Sequence, residues 1–126
     1  MKLLLDSHAF LWWLMDAPKL STEAKAIITD TRTIVHVSAV SIWEISIKAN
    51  LGRIELGKSD LVGQIEANHF FELPVTARHA VAASALPRHH DDPFDRMLVA
   101  QARLEDLTLL THDRNFRNYK VSTLST

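Results

Sequence analysis

The sequence has no cysteine, only three glycines and four prolines, and no excess of either charge. The absence of cysteine excludes a disulfide-stapled scaffold and thiolate metal sites. So few glycines and prolines argue against a disordered chain and against an all-β fold rich in tight turns. The net charge of −1 also means that the chain lacks the basic excess that nucleic-acid-binding proteins often show.

Long apolar runs are absent as well. No stretch approaches the roughly 20 apolar residues needed to span a membrane. The apolar start is interrupted by Asp6, His8 and Asp16, and no small-residue cleavage site follows. We therefore expect no signal peptide, no membrane contact and a cytoplasmic location. The chain has 126 residues, of which 47% are hydrophobic, so we expect a single domain over residues 1–126.

Short apolar segments alternate along the chain with longer segments of helical character. Helix ends are marked by Ser21 as an N-cap, by Gly52 as a C-terminal stop, and by Asp92 followed by Pro93. This alternation predicts an α/β fold with a mainly parallel sheet covered by helices on both faces. The predicted strands cover residues 2–6, 34–37, 70–75, 108–111 and 121–124, and the predicted helices cover 8–15, 21–29, 38–51 (beginning at Ser38 or Ser41), 59–68, 76–85 and 92–105.

Two aspartates follow predicted strands at equivalent positions. Asp6 comes directly after the first strand, and Asp113 comes shortly after the strand that ends at Thr111. Parallel sheets bind ligands outside the carboxyl ends of their strands, where the strand order reverses. One aspartate at such a place is often only a turn or cap residue. Two of them at equivalent strand ends indicate a metal site or a general base.

Glu44 is an acid on the apolar face of a predicted helix. At about 100° per residue, Val40, Trp43 and Ile47 lie on the same side of this helix as Glu44. A carboxylate at such a position is costly unless a cation pairs with it. The sequence leaves two explanations open, namely a salt bridge to Lys or Arg of a neighbouring element and a bound metal ion.

Asp95 and two arginines also allow two explanations each. Asp95 is the third residue of a helix that begins after Asp92, so it favours that helix whatever the protein does. Arg96 is able to hold a phosphate group or to pair with Asp95. Arg114 follows Asp113 directly and is a second candidate for a phosphate contact, although arginine is common on protein surfaces.

Four acids brought together would repel one another and would not all remain ionised without cations. Ligand sets made only of oxygen select Mg²⁺ or Mn²⁺ over zinc. Such ions activate water and stabilise the leaving oxygen in phosphodiester cleavage. A competing metal site in one loop is less favoured, because its contiguous residues fit a solvated loop better; these are His89, His90, Asp91 and Asp92.

Four segments carry these acids in a fixed order along nearly the whole chain. They are KLLLDSHAFLWW (2–13) with Asp6, VSAVSIWEISIKANLG (37–52) with Glu44, LPRHHDDPFDRMLVAQA (86–102) with Asp95, and LLTHDRNF (109–116) with Asp113. Taken together, they resemble the PIN domain of the VapC toxin type. The resemblance implies a PIN-like three-layer α/β/α sandwich in which the four acids converge and bind Mg²⁺ or Mn²⁺.

The same resemblance implies a metal-dependent endoribonuclease that forms a homodimer and is neutralised by a cognate VapB-like antitoxin. In this hypothesis the four acids are the catalytic and metal-binding residues, and Arg96 and Arg114 contact the RNA. Two other interpretations stay open. One is an RNA-processing PIN nuclease outside a toxin system, and the other is a non-catalytic PIN module that binds RNA or protein. Trp12 and Trp13 suit either base stacking or the core, and we expect an exposed remainder to be covered by a partner.

Overall fold

The computed structural model describes residues 1–89 and 91–126. Within these residues, strands and α-helices alternate, and one short 3₁₀ helix precedes the last strand. The strands are β1 (Lys2–Leu5), β2 (Ile34–Ser38), β3 (Phe71–Leu73), β4 (Thr108–Thr111) and β5 (Thr123–Ser125). The α-helices are α1 (Ser7–Leu14), α2 (Thr22–Thr29), α3 (Ala39–Asn50), α4 (Leu61–Ala67), α5 (Ala77–Ala85) and α6 (Pro93–Leu104). The 3₁₀ helix covers Arg114–Asn118.

The strands form one sheet in the order β3-β2-β1-β4-β5, and every pairing among the described strands is parallel. From β1 the chain adds β2 and β3 on one side, and it later adds β4 and β5 on the other side. The strand order therefore reverses between β1 and β4, where Leu5 pairs with Leu110. The predicted α/β fold with a parallel sheet is confirmed.

Side chains of β1 alternate between two hydrophobic cores on opposite faces of the sheet, as the strand geometry requires. Leu3 and Leu5 pack into one core, together with Phe10 of α1. Leu4 packs into the other core, together with Leu98 of α6. All five side chains are fully buried. Helices thus cover both faces of the sheet, and the expected three-layer α/β/α arrangement is confirmed.

Helix ends follow the predicted signals closely. The Ser21 side chain accepts a hydrogen bond from the Ala24 amide at 3.1 Å, and the Asp92 side chain accepts one from the Phe94 amide at 2.9 Å. Gly52 has a φ of 74°, a backbone conformation that side chains with a Cβ rarely adopt. The described part of the chain has no helix long and apolar enough to cross a membrane.

The segment after β4 differs from the prediction. It contains the 3₁₀ helix, and β5 begins at Thr123, two residues later than predicted. A short 3₁₀ helix buries too few side chains to produce a repeating pattern of apolar residues in the sequence. β5 begins at Thr123, because this is the residue that pairs with Leu109 of β4 in the sheet.

Trp12 and Trp13 of α1 were expected to suit either base stacking or the core, and any exposed remainder was expected to be covered by a partner. Trp12, Trp13 and Leu14 are all half-buried, and each packs against the core below α1. Trp13 also donates a hydrogen bond from its indole nitrogen to the Asn68 side chain at 3.0 Å. Their apolar surface is therefore covered in part by this chain itself. The expectation that a partner covers the remainder stays a prediction.

Candidate active site at the carboxyl ends of the strands

Asp6 lies where the strand order reverses, directly after β1. One carboxylate oxygen accepts a hydrogen bond from the Ala9 amide at 2.8 Å, so Asp6 is also the N-cap of α1. The other oxygen accepts one from the Thr111 hydroxyl of β4 at 2.6 Å. The side chain is buried, and this burial raises the pKa of Asp6 above its usual value despite both hydrogen bonds. Asp6 therefore connects the ends of β1 and β4, and a nearby cation would stabilise its ionised carboxylate.

Glu44 is buried on α3, as its position on the apolar helix face predicts. One oxygen accepts a hydrogen bond from the Ser7 hydroxyl at 2.6 Å, and the other pairs with the Lys48 ammonium at 3.0 Å. The cation comes from the same helix, one turn further along, and not from a neighbouring element. Because Ser7 follows Asp6 directly, this hydrogen bond ties the Glu44 carboxylate to the start of α1.

Asp113 directly precedes the 3₁₀ helix after β4 and is half-buried. Its side chain accepts a hydrogen bond from the Asn115 amide at 2.9 Å, so it caps this helix. Its own backbone amide donates to the Thr111 hydroxyl at 3.1 Å, and that hydroxyl in turn donates to Asp6. The structure therefore brings Asp6 and Asp113 to one edge of the sheet through a single threonine, as the two strand ends predict.

Asp95 lies in the first turn of α6, after the Asp92 cap, and is half-buried. The ring of the preceding residue, Phe94, packs edge-on against Trp43 of α3 with ring centres 5.4 Å apart. Trp43 directly precedes Glu44, so this contact places the first turn of α6 beside the helix that carries Glu44. The catalytic roles of the four acids stay predictions.

Arg96 is engaged with the protein backbone. Its guanidinium donates to the carbonyl oxygens of Ala83, Leu86 and Pro87 at 2.9, 3.0 and 3.0 Å. These carbonyls belong to the end of α5 and to the turn that follows, where the Ala83 carbonyl also accepts a hydrogen bond of 3.4 Å from the Leu86 amide. The contacts favour a structural role for Arg96 over the predicted phosphate contact. Arg114, in contrast, is exposed at the start of the 3₁₀ helix.

Replacing Arg96 by Met should lower the free energy of unfolding by about 2 kcal/mol or more, because charge-assisted hydrogen bonds to three carbonyls are lost. Urea unfolding followed by circular dichroism measures this change. The exposed Arg114→Met variant is the control, and its stability should stay within about 0.5 kcal/mol of the wild-type value. Equal stability of the Arg96→Met variant and the wild-type protein would contradict the structural role.

Two histidines near Asp6 were not singled out by the sequence analysis. One ligand atom each of Asp6, His8 and His112 lie within 4.8 Å of one another, and both imidazoles are exposed. His8 follows Asp6 by two residues, and His112 lies between Thr111 and Asp113. Their sequence positions next to acids at strand ends could have marked them as candidate ligands. Of the competing loop set, His90 lies outside the described residues, and the loop stays untested as a metal site.

A comparison with protein families identifies the chain's relatives. The sequence profile of the PIN domain matches residues 3–121, which is most of the chain. The chain belongs to the PIN-domain family. It is 34% identical over 119 residues to Ribonuclease VapC22 of Mycobacterium tuberculosis (strain ATCC 25618 / H37Rv), covering 93% of this chain and 91% of that relative. The resemblance of the four acidic segments to a PIN domain of the VapC type is thus confirmed.

Solved structures agree on the fold of this PIN domain. VapBC2 from Rickettsia felis, bound to a DNA fragment from its promoter, aligns with a TM-score of 0.74 at 11% identity over 99% of this chain and 98% of that chain. DNA-bound VapBC from Salmonella typhimurium aligns with a TM-score of 0.71 at 16% identity over 99% and 98%. At such low identity these alignments establish a shared fold, and they extend over nearly the whole chain.

Proposed function

We propose that this PIN domain is a divalent-metal-dependent endoribonuclease and the toxin of a type II toxin–antitoxin pair. The observation that carries the proposal is a set of hydrogen bonds around Asp6, at the reversal of strand order. Ser7, the residue after Asp6, donates to Glu44, and the Thr111 hydroxyl donates to Asp6 and accepts from the Asp113 amide. The 34% identity to a protein named Ribonuclease VapC22 supports the same activity.

A divalent cation fits the residues at this edge. Asp6 is buried and has no salt-bridge partner among residues 1–89 and 91–126. Each of its oxygens accepts one hydrogen bond, which leaves a further lone pair on each oxygen for a metal. The pKa of Asp6 is raised by burial, so the ionised carboxylate gains most from a nearby positive charge. We propose Mg²⁺ or Mn²⁺ as the ion.

In the proposed mechanism, Asp6 and Asp95 are the principal ligands of the ion, and Glu44 and Asp113 complete the site directly or through water. When bound, a divalent ion activates water for attack on the phosphodiester and offsets the charge that develops on phosphate. Thr111 and Ser7 hold the Asp6 and Glu44 carboxylates in place through short hydrogen bonds. Arg114, exposed beside Asp113, contacts the RNA backbone.

The products of cleavage distinguish this mechanism from histidine catalysis. Purified protein should cut mixed cellular RNA in Mg²⁺ or Mn²⁺, stop in excess chelator, and leave 5′-phosphate ends. A pair of histidines would instead use the 2′-hydroxyl of the RNA as nucleophile, leave 2′,3′-cyclic phosphate ends and ignore chelator. Cleavage that continues in chelator with cyclic ends would refute the metal mechanism, and no cleavage with either metal would favour a non-catalytic binding module.

We also propose a VapB-like antitoxin as partner and a homodimer as the assembly. Two solved structures that align with this fold over 99% of the chain are named as VapBC2 and VapBC bound to DNA, which supports such a partner. Trp43 on α3 is 63% exposed and offers apolar surface for contacts of this kind. Co-expression with a short VapB-like protein encoded beside this gene should yield a co-purifying complex that no longer cuts RNA. Full activity in its presence would favour an RNA-processing nuclease outside a toxin system.

A further inference from the structure

The side chains of Asp6, His8 and His112 form a cluster with mixed ligand chemistry beside the acidic site. One carboxylate oxygen and one nitrogen of each imidazole lie within 4.8 Å of one another. Two ligand atoms that bind the same first-row ion at about 2.1 Å each are at most about 4.2 Å apart. His8 and His112 are both exposed, so their side chains have room to rotate toward this spacing.

Both imidazoles have nitrogens available for a ligand. Among residues 1–89 and 91–126, neither His8 nor His112 has a hydrogen-bond partner for its ring. Their rings meet edge to face with centres 5.0 Å apart, and the Trp12 ring packs against His112 at 5.0 Å and against His8 at 5.7 Å. The ring contacts among His8, Trp12 and His112 therefore orient the two imidazoles, and these contacts use none of their nitrogens for hydrogen bonds.

We propose that Asp6, His8 and His112 bind a first-row transition metal ion, of the chemical class of Mn²⁺, Co²⁺ and Zn²⁺, in preference to Mg²⁺. Imidazole nitrogen suits these borderline ions, whereas Mg²⁺ prefers oxygen ligands and retains its water. Two imidazoles and one carboxylate would also fill only three coordination positions of the metal ion, which leaves further coordination positions open for water or phosphate. The inference deepens the proposed function and rests on it only in taking Asp6 as a ligand of the functional ion.

This assignment changes the expectation drawn from the acids alone. A ligand set of four carboxylates is made only of oxygen and favours hard cations. The structure adds two imidazole nitrogens, from His8 and His112, within 4.8 Å of an Asp6 carboxylate oxygen. The Lys19 ammonium lies over the Trp12 ring, 5.8 Å from the ring centre, so it contacts the same ring that packs against both imidazoles.

Titration of the purified, tag-free protein with Co²⁺ tests the proposal without measuring RNA cleavage. The visible absorption of Co²⁺ reports the ligands, and calorimetry reports the affinity for Co²⁺ and, separately, for Mg²⁺. Wild-type protein should bind one Co²⁺ more tightly than Mg²⁺. His8→Phe and His112→Phe keep the ring contacts with Trp12 but remove the nitrogens. Each should weaken Co²⁺ binding by at least about 10- to 100-fold, since loss of even an indirect partner costs that much.

Matched controls separate the possible results. His69→Asn removes an exposed histidine outside the cluster, at a residue whose φ of 59° suits Asn, and should leave Co²⁺ affinity unchanged. Mg²⁺ affinity should change little in the two Phe variants. Wild-type Co²⁺ affinity in both Phe variants, or no Co²⁺ binding by the wild-type protein, would overturn the proposal even if the protein cuts RNA. Histidine-dependent Co²⁺ binding without RNA cleavage would uphold it while the proposed nuclease function fails.

Discussion

Replacing Asp6 by Asn should reduce the rate of RNA cleavage by at least about 100-fold, because loss of one strong electrostatic contributor in an active site commonly costs that much or more. Asn keeps the size of the side chain and still accepts the hydrogen bond from the Ala9 amide that caps α1. The fold should therefore persist, and the loss should fall on metal binding and catalysis. Initial rates on a fluorescent RNA, measured with wild-type and variant protein at saturating Mg²⁺ and Mn²⁺, give the ratio.

An exposed acid away from the site provides the matched control for this variant. Asp60 precedes α4, is exposed, and its side chain makes no capping hydrogen bond. Asp60→Asn changes the net charge by the same amount as Asp6→Asn, so any general effect of charge on RNA binding appears in both. The control should retain wild-type activity. Full cleavage by Asp6→Asn protein in excess chelator would remove Asp6 and the metal from the mechanism.

Divalent metal should raise the stability of the wild-type protein substantially. An ion that binds only the folded state adds about 2.7 kcal/mol at 100 times its dissociation constant. For a chain of 126 residues this corresponds to a rise in melting temperature of about 10 °C, since about 1 kcal/mol shifts the midpoint by roughly 4 °C at this size. Thermal unfolding followed by circular dichroism across a Mn²⁺ titration measures the shift.

The Asp6→Asn variant gives the second half of this experiment. Burial of the Asp6 carboxylate opposes ionisation, as its raised pKa indicates, so removing the charge should stabilise the metal-free protein. The variant should then melt above the wild-type protein in chelator and gain much less from Mn²⁺. If Mn²⁺ leaves the wild-type melting temperature unchanged, the site does not bind metal in the folded state. If it raises both proteins equally, the ion binds without Asp6.

Much of the fold was predictable because its signals are local. Ser21 and Asp92 cap their helices through hydrogen bonds to amides only two or three residues away, so the short sequence around each contains the whole interaction. The 3₁₀ helix was missed because one turn buries too little to leave a periodic pattern. The late start of β5 was missed because it depends on the register against β4.

The acids of the candidate site divide in the same way. Asp6 and Asp113 were found because residues after parallel strands reach the same edge of a sheet, a rule that needs only the strand pattern. Glu44 was recognised as unusual from its helix face, but its partners Ser7 and Lys48 follow from packing and a side-chain rotamer. Arg96 was a candidate for a phosphate contact, but the structure shows its guanidinium on backbone carbonyl oxygens. A guanidinium binds both kinds of oxygen, and the sequence does not indicate which of them lies nearby.

The sequence by itself therefore determined the alternation of strands and helices, the position of acids at strand ends and the family, because each depends on residue order and local periodicity. Only the tertiary structure placed His8 against His112, which are more than 100 positions apart in the chain, and put both imidazoles beside Asp6. That contact exists because β1 and β4 are neighbours in the sheet although they lie far apart in sequence. Pairing between distant strands is decided by the packing of the whole chain, so the ligand chemistry at this edge could be read only from the folded protein.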